Sequence, residues 1–323
     1  MNYYRTVTFQ PPTETLTNFP VLVRIRNDRM GSRILSPKGW DVCFELDGNR
    51  LPFELDWYDA ASGSGAWWVQ IPTLSSSAPT SIRMLYGDSS ITSDQSAPAT
   101  VWADYSYVYH FSGSDPFRDV RGGKTASTSI PYSVVNSNLV PTGQTLRITP
   151  TEKSFFYFAE GINESVGTVF LSAHVSKQFE FKWKTSYYFY GFSGYTSPYS
   201  IFGAGLTFTP EITFPTRIHY SANFGSAGAE VVFNGTLFDC SASDRQDWFR
   251  DDSHCFETFP QCVTSLDELR ISKTVRKSSA WLQYEQNQME NHETVTEYSL
   301  EFDSSGNALP SFFPWIQSGT VLD

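Results

Sequence analysis

Apolar residues in this chain recur at every second position. In PVLVRIR, Val21, Val23 and Ile25 fall on one face and Leu22, Arg24 and Arg26 on the other. In FEFKWK, Phe179, Phe181 and Trp183 alternate with Glu180, Lys182 and Lys184; in GTVFLSAHV, Val169, Leu171, Ala173 and Val175 form one row. Successive strand side chains point to opposite sides, so each run can bury one face and wet the other, as antiparallel sheets in a sandwich do. Asn234-Gly235 separates two apolar runs and predicts a type I′ hairpin; Gly48-Asn49 predicts a second turn. One helix is expected, capped by Ser278 or Ser279, with Trp281, Tyr284 or Glu285, and Gln288 at helical spacing. The predicted fold is all-β: two tandem β-sandwich, jelly-roll-like domains with one short C-terminal helix. A chain of 323 residues suits two domains. We expect boundaries at 1–105 and 106–292, then a docking tail, 293–323.

The 26 Phe, 17 Tyr and 9 Trp can fill such cores and leave rings at the surface. A net charge of −11, with no basic run, excludes nucleic acid as a natural partner. No stretch approaches the roughly 20 apolar residues of a membrane-spanning helix. Cys240, Cys255 and Cys262 lie close in sequence, and Cys43 apart. Free thiols are the first reading, one disulfide the second, and zinc with His254 the third, since the spacing lacks close cysteine pairs.

Residues 1–110 resemble the DUF2341 family, on Asn18–Ile25, Gly39–Asp59, Ala66–Leu74, Ser81–Asp88 and Val108–Gly113. The chain departs from the family's usual pattern at Val42-Cys43-Phe44. Residues 106–292 resemble laminin-G/concanavalin-A-like jelly rolls, on Phe233–Phe238 and Ser265–Gln288. This pairing is typical of bacterial surface proteins and phage virion proteins, so the resemblance implies display at an exterior surface. MNYYRTVTFQPP lacks the charged start and apolar core of a secretory signal. The expectation is therefore a non-enzymatic virion protein, on a phage tail or capsid exterior, forming a homo-oligomer. Its partners would be other virion proteins or host surface glycan. The alternative is a bacterial surface or secreted carbohydrate-binding module; a glycosidase comes last.

No serine-hydrolase elbow is present, GFSGY being off by one, and the five histidines are scattered; His110 reads as a core or interface residue. Jelly-roll glycosidases carry their acid pair as spaced carboxylates on one strand. Here Asp267 and Glu268 are adjacent, which predicts opposite faces, one buried and one exposed. No cofactor is expected. Asp244, Asp247, Asp251 and Asp252 read as a solvated acidic loop, with calcium as the alternative. Tyr195, Tyr199 and Trp248 are the candidate sugar-stacking rings. Phe312, Phe313, Trp315 and Ile316 form the candidate assembly contact.

Overall fold

The computed structural model describes residues 1–26, 33–123, 125–128, 132–137, 142–148, 154–157, 167–175, 180–184, 189–193, 200–203, 206–208, 216–224, 229–240, 255–258, 264–272 and 275–309. The first strands are β1 (Tyr3–Phe9), β2 (Leu16–Ile25), β3 (Val42–Leu46), β4 (Asn49–Arg50), β5 (Phe53–Asp59), β6 (Ser64–Leu74) and β7 (Thr80–Tyr86). They form two antiparallel sheets, ordered β1-β7-β3-β4 and β2-β6-β5. Val7, Phe9, Phe44, Ile82 and Met84 from the first sheet share one core with Phe19, Val21, Val23, Phe53, Val69 and Ile71 from the second. Pro20 sits on β2, an edge strand, where its missing N–H costs no ladder bond. The second turn is centred on Asp47-Gly48, one residue earlier than predicted, with φ of 51° and 80°.

The chain then passes through one helical turn, α1 (Pro98–Val101), to β8 (Tyr107–Tyr109). There follow β9 (Ser127–Thr128), β10 (Tyr132–Asn136), β11 (Gln144–Ile148), β12 (Ser154–Tyr157), β13 (Gly167–Val175), β14 (Glu180–Lys184), β15 (Phe189–Ser193), β16 (Ser200–Gly203) and β17 (Leu206–Phe208). β18 (Thr216–Phe224), β19 (Ala229–Phe233), β20 (Thr236–Cys240), β21 (Cys255–Thr258) and β22 (Thr264–Ser272) complete this unit. Its main sheet runs β10-β11-β22-β13-β18-β19-β20, with β8 also on β22; β14-β15-β16-β17 and β21-β12-β9 form smaller sheets. β19 and β20 meet at Asn234-Gly235, with φ of 45° and 80°, the left-handed pair of the predicted turn.

The predicted helix is α2 (Ser279–Glu290), and the Ser278 hydroxyl accepts from the Trp281 N–H at its start. Gln286 donates to Ser221 Oγ and the Val232 carbonyl while accepting from the Gly235 N–H. Gln288 accepts from the Leu22 N–H, and Tyr284 donates to the Gln10 carbonyl. One helix thus holds both units. After α3 (His292–Val295), β23 (Thr296–Tyr298) and β24 (Phe302–Asp303) pair with β1. Glu301 anchors this tail by accepting from Tyr86 Oη at 2.6 Å and from Arg33.

Alternation predicted one wet face for β2, but Leu22 is as buried as Val21 and Val23, and Arg24 is only 8% exposed. The sheet β2-β6-β5 lies between two neighbours. Its Phe19–Ile71–Phe53 side packs on the first sheet. Leu22, Trp68 and Glu54, opposite one another in register, face the second unit. Among the described residues no helix is long and apolar enough to cross a membrane.

Candidate functional site

Glu54 is the second residue of β5, directly opposite Trp68 of β6. Two residues on, the ladder slips: Leu55 faces Trp67 but Trp57 faces Ala66, leaving Asp56 as an extra residue. The same happens on β22, where Glu268 faces Ser172 and Leu266 faces Ala173, so Asp267 is the extra residue. A bulge re-aims the side chains around it. Asp267 and Glu268 are therefore not on opposite faces, and neither is exposed. Ser172, the register partner of Glu268, donates to Asp267 Oδ2 at 3.1 Å, and both acids are fully buried. This corrects the expectation from their adjacency.

The two bulged strands meet around His110, just past β8 and 3% exposed. Its Nδ1 lies 2.7 Å from Glu268 Oε1 and its Nε2 3.1 Å from Glu54 Oε2. With a carboxylate at each nitrogen, both nitrogens donate and the ring is an imidazolium. It stacks on Trp68 at 6.0 Å with an interplanar angle of 9°. Trp102 Nε1 donates to the same Glu54 oxygen. Glu268 Oε2 accepts from Arg270 Nε at 3.1 Å, and Arg270 Nη1 donates to Glu285 of α2 at 2.7 Å. The Arg270 guanidinium lies 4.1 Å from the Trp68 ring centroid and 4.8 Å from that of Trp102. Tyr105 Oη donates to Glu285 at 3.1 Å. Glu54, His110, Glu268, Arg270 and Glu285 thus alternate in sign from the first unit, through β22, to α2.

Asp56 and Asp267 flank that chain. Asp56 accepts from Ser112, and Asp267 accepts from Thr142 and Ser172. Burial lifts Asp56 to about 7, against the opposing charge of His110. Burial, with Glu268 beside it, lifts Asp267 to about 8. Burial draws His110 down, but Glu268, Glu54 and Asp56 together push it well above its ordinary value. Glu285 is raised by burial despite Arg270.

Asp56, His110 and Glu268 place ligand atoms within 4.8 Å of one another, as a metal site would. The donor set fits an ion poorly. His110 spends both nitrogens and Glu268 both oxygens on protein partners. Asp56 Oδ2, buried and without a partner among the described residues, is the oxygen left over. Calcium favours about six to eight oxygens. The centre suits protons and hydrogen bonds instead.

Tyr195, Tyr199, Trp248, the four aspartates of 244–252 and the Phe312–Ile316 cluster lie outside the described residues. Cys43 is a buried free thiol, which burial pushes up to about 11. Its neighbours Val42 and Phe44 are buried too, so the departure from the family pattern alters packing. His110 sits between the units, matching its reading as an interface residue. The E-L-D and D-E pairs that surround it were visible in sequence, but nothing there marked the bulges that bring them together.

A family described as "Domain of unknown function (DUF2341)" matches residues 38–125. No curated protein matches the chain. Among solved structures, domain 4 of AbnA, a GH43 extracellular arabinanase from Geobacillus stearothermophilus in complex with arabinotriose, is similar at 14% identity. That match covers 56% of this chain and 97% of that one, with a TM-score of 0.44. The binding domain of botulinum neurotoxin DC with SialylT is similar at 9% identity, over 57% of this chain and 51% of that one, with a TM-score of 0.42. The calcium-bound exoplasmic/lumenal domain of VIP36 is similar at 10% identity, over 54% and 91%, with a TM-score of 0.31. The chain carries a DUF2341 domain followed by a β-sandwich.

Proposed function

We propose that the chain is a non-catalytic, glycan-binding module of an extracellular or cell-surface protein. The observation that carries this reading is the closure of the acid centre. A glycosidase needs two carboxyls about 5–10 Å apart with sugar between them. Here Glu54, Asp267 and Glu268 are buried, and their oxygens are committed to His110, Arg270, Thr142, Ser172 and Trp102. No sugar can reach them without separating the two units. The centre is a lock, which leaves rims and loop tips for recognition. Rings beside small and acidic residues in Tyr195, Tyr199 and Trp248 suit sugar stacking. The virion reading has its contact in the Phe312–Ile316 cluster, and no described residue adds to it.

A glycan array on the full chain, with product analysis of every positive, tests the proposal. We expect retention of one glycan class, unaltered on elution, and loss of retention in Y195A, Y199A or W248A. Release of shortened product, abolished by E268Q or D56N in a folded variant, would overturn it.

A further inference from the structure

Val7, Ile82 and Met84 belong to the core, so Thr6, Ser81 and Arg83, which alternate with them along β1 and β7, stand on the side of the first sheet that faces water. That side carries a cavity of about 300 Å³, lined by Thr6, Glu45, Asp47, Gly48, Ser81 and Arg83. Thr6 lies opposite Arg83 on β7, and Arg83 opposite Glu45 on β3, in one row. Opposite charges facing each other across a ladder ordinarily pair. Among the described residues no ion pair joins these two. Glu45 Oε1 instead meets Arg50 Nε at 3.3 Å. The Arg83 guanidinium lies 5.2 Å from the centroid of the Tyr4 ring, which is itself stacked on Phe302. Glu45 and Arg83 are held to opposite sides, and both line the cavity rather than close it.

The charges around the cavity balance, and part of its hydrogen-bonding capacity is unspent. Glu45 and Asp47 stand against Arg83 and Arg50, two of each sign. Among the described residues the Arg83 guanidinium has no hydrogen-bond or ion-pair partner, its one contact being the Tyr4 ring. The Asp47 carboxylate has none either, since Asn49 donates to the Asp47 carbonyl. Thr6 and Ser81 add hydroxyls, and Ser81 shares a 2.8 Å bond with Thr8. An anion entering here would meet Glu45 and Asp47, and a cation would meet Arg83 and Arg50. A carboxylate only accepts and a guanidinium only donates, whereas a hydroxyl does both. Neighbouring hydroxyls on one ring can therefore donate to Asp47 and accept from Arg83 together, and the guanidinium fork suits two adjacent oxygens. The volume is at the small end of the roughly 300–1,000 Å³ of ligand pockets, room for one sugar ring.

We propose that this cavity on the first unit is a subsite for the vicinal hydroxyls of a neutral sugar. The assignment rests on the glycan-binding reading and names the sugar class and the residues that read its hydroxyls. Glucose, galactose, mannose and glucuronate are titrated calorimetrically into the full chain, beside an array of neutral, uronate-bearing and sulfated glycans. At least one neutral sugar should bind, and more tightly than glucuronate. Arg83→Gln and Asp47→Asn should each weaken it at least tenfold with the melting temperature unchanged. Both residues are exposed, and asparagine tolerates the left-handed backbone of Asp47, with φ of 51°. R83K, which keeps the charge without the fork, should recover part of the affinity. The two positions lie in different elements, so either variant carries the test should the other lose fold. Full affinity in folded R83Q and D47N, or glucuronate bound more tightly than every neutral sugar, would overturn this site and spare the glycan reading. An empty array with no heat from any of the four sugars would overturn both.

Discussion

Glu268 accepts from His110 on one oxygen and from Arg270 on the other, with no contact to solvent. Such a group stabilises only while its partners remain, since two cations buried without it are stranded in a poor solvent. Glu268→Gln keeps the shape and removes the charge. It should cost roughly 3–5 kcal/mol, the range for breaking a buried pair from one side, read as a lower urea midpoint with an unchanged slope. Arg270 gains a second hold, lying over Trp68 and Trp102 where water cannot compete. Arg270→Lys keeps the charge but loses the planar fork and the stack. It should therefore destabilise more than a surface Arg→Lys change, measured in the same melts.

At the scale of elements, strands and their turns carry the fold, and their signals are local. Gly235 has φ of 80° with nothing within 4 Å of an added Cβ, so its need is purely conformational. Gly235→Ala should cost about 1–2 kcal/mol, the penalty for a side chain in the left-handed region, and a urea melt will show it. Ser278 capping α2 and Asn234-Gly235 closing β19–β20 were legible because each depends on a few neighbouring residues. β2 was only half legible. Its alternation marks a strand, but not that Arg24 and Leu22 would be covered by a second unit far along the chain. The acid centre was legible as residue types and illegible as geometry. Asp56 and Asp267 are extra residues in their ladders, and a bulge depends on what the partner strand offers, not on the Leu-Asp-Trp or Leu-Asp-Glu run itself. Read as ideal strands, Asp267 and Glu268 part; in the folded ladder they meet.

Across the whole molecule, one core cluster runs from Val7 through Trp68 to Phe170, Val232 and Trp281, and the chain of alternating charges crosses the same boundary. The two units should therefore unfold together, giving one calorimetric transition. E268Q should broaden or split it if the charges carry the coupling. The centre also ties stability to pH. Above about pH 4, folded Asp56 up to about pH 7 and folded Asp267 up to about pH 8 hold protons that the unfolded chain has released, because burial raises both from 3.8. His110, raised above 6.5, keeps its proton where the unfolded ring has lost it. More protons bound in the folded state means stability falls as pH rises. Below about 6.5 the buried neutral rings of His219 and His292 act the other way, since their folded values are lowered and their contribution is lost on acidification. The window in which the acid centre sets the slope is therefore about pH 6.5 to 9, with the buried Cys43 thiol, raised from 9.0 to about 11, adding a loss of the same sign at its alkaline end.

Melting temperature across that window, for the natural chain and for the double variant Asp56→Asn with Asp267→Asn, tests the buried lock most directly. The natural chain should lose stability steadily toward the alkaline end, while the double variant, with amides in place of protonated acids, should show a flatter profile and melt higher there. A natural chain that gains stability toward pH 9, or a double variant that melts lower at that pH, would contradict the account, because either would mean that folding does not raise the two acids above their ordinary values.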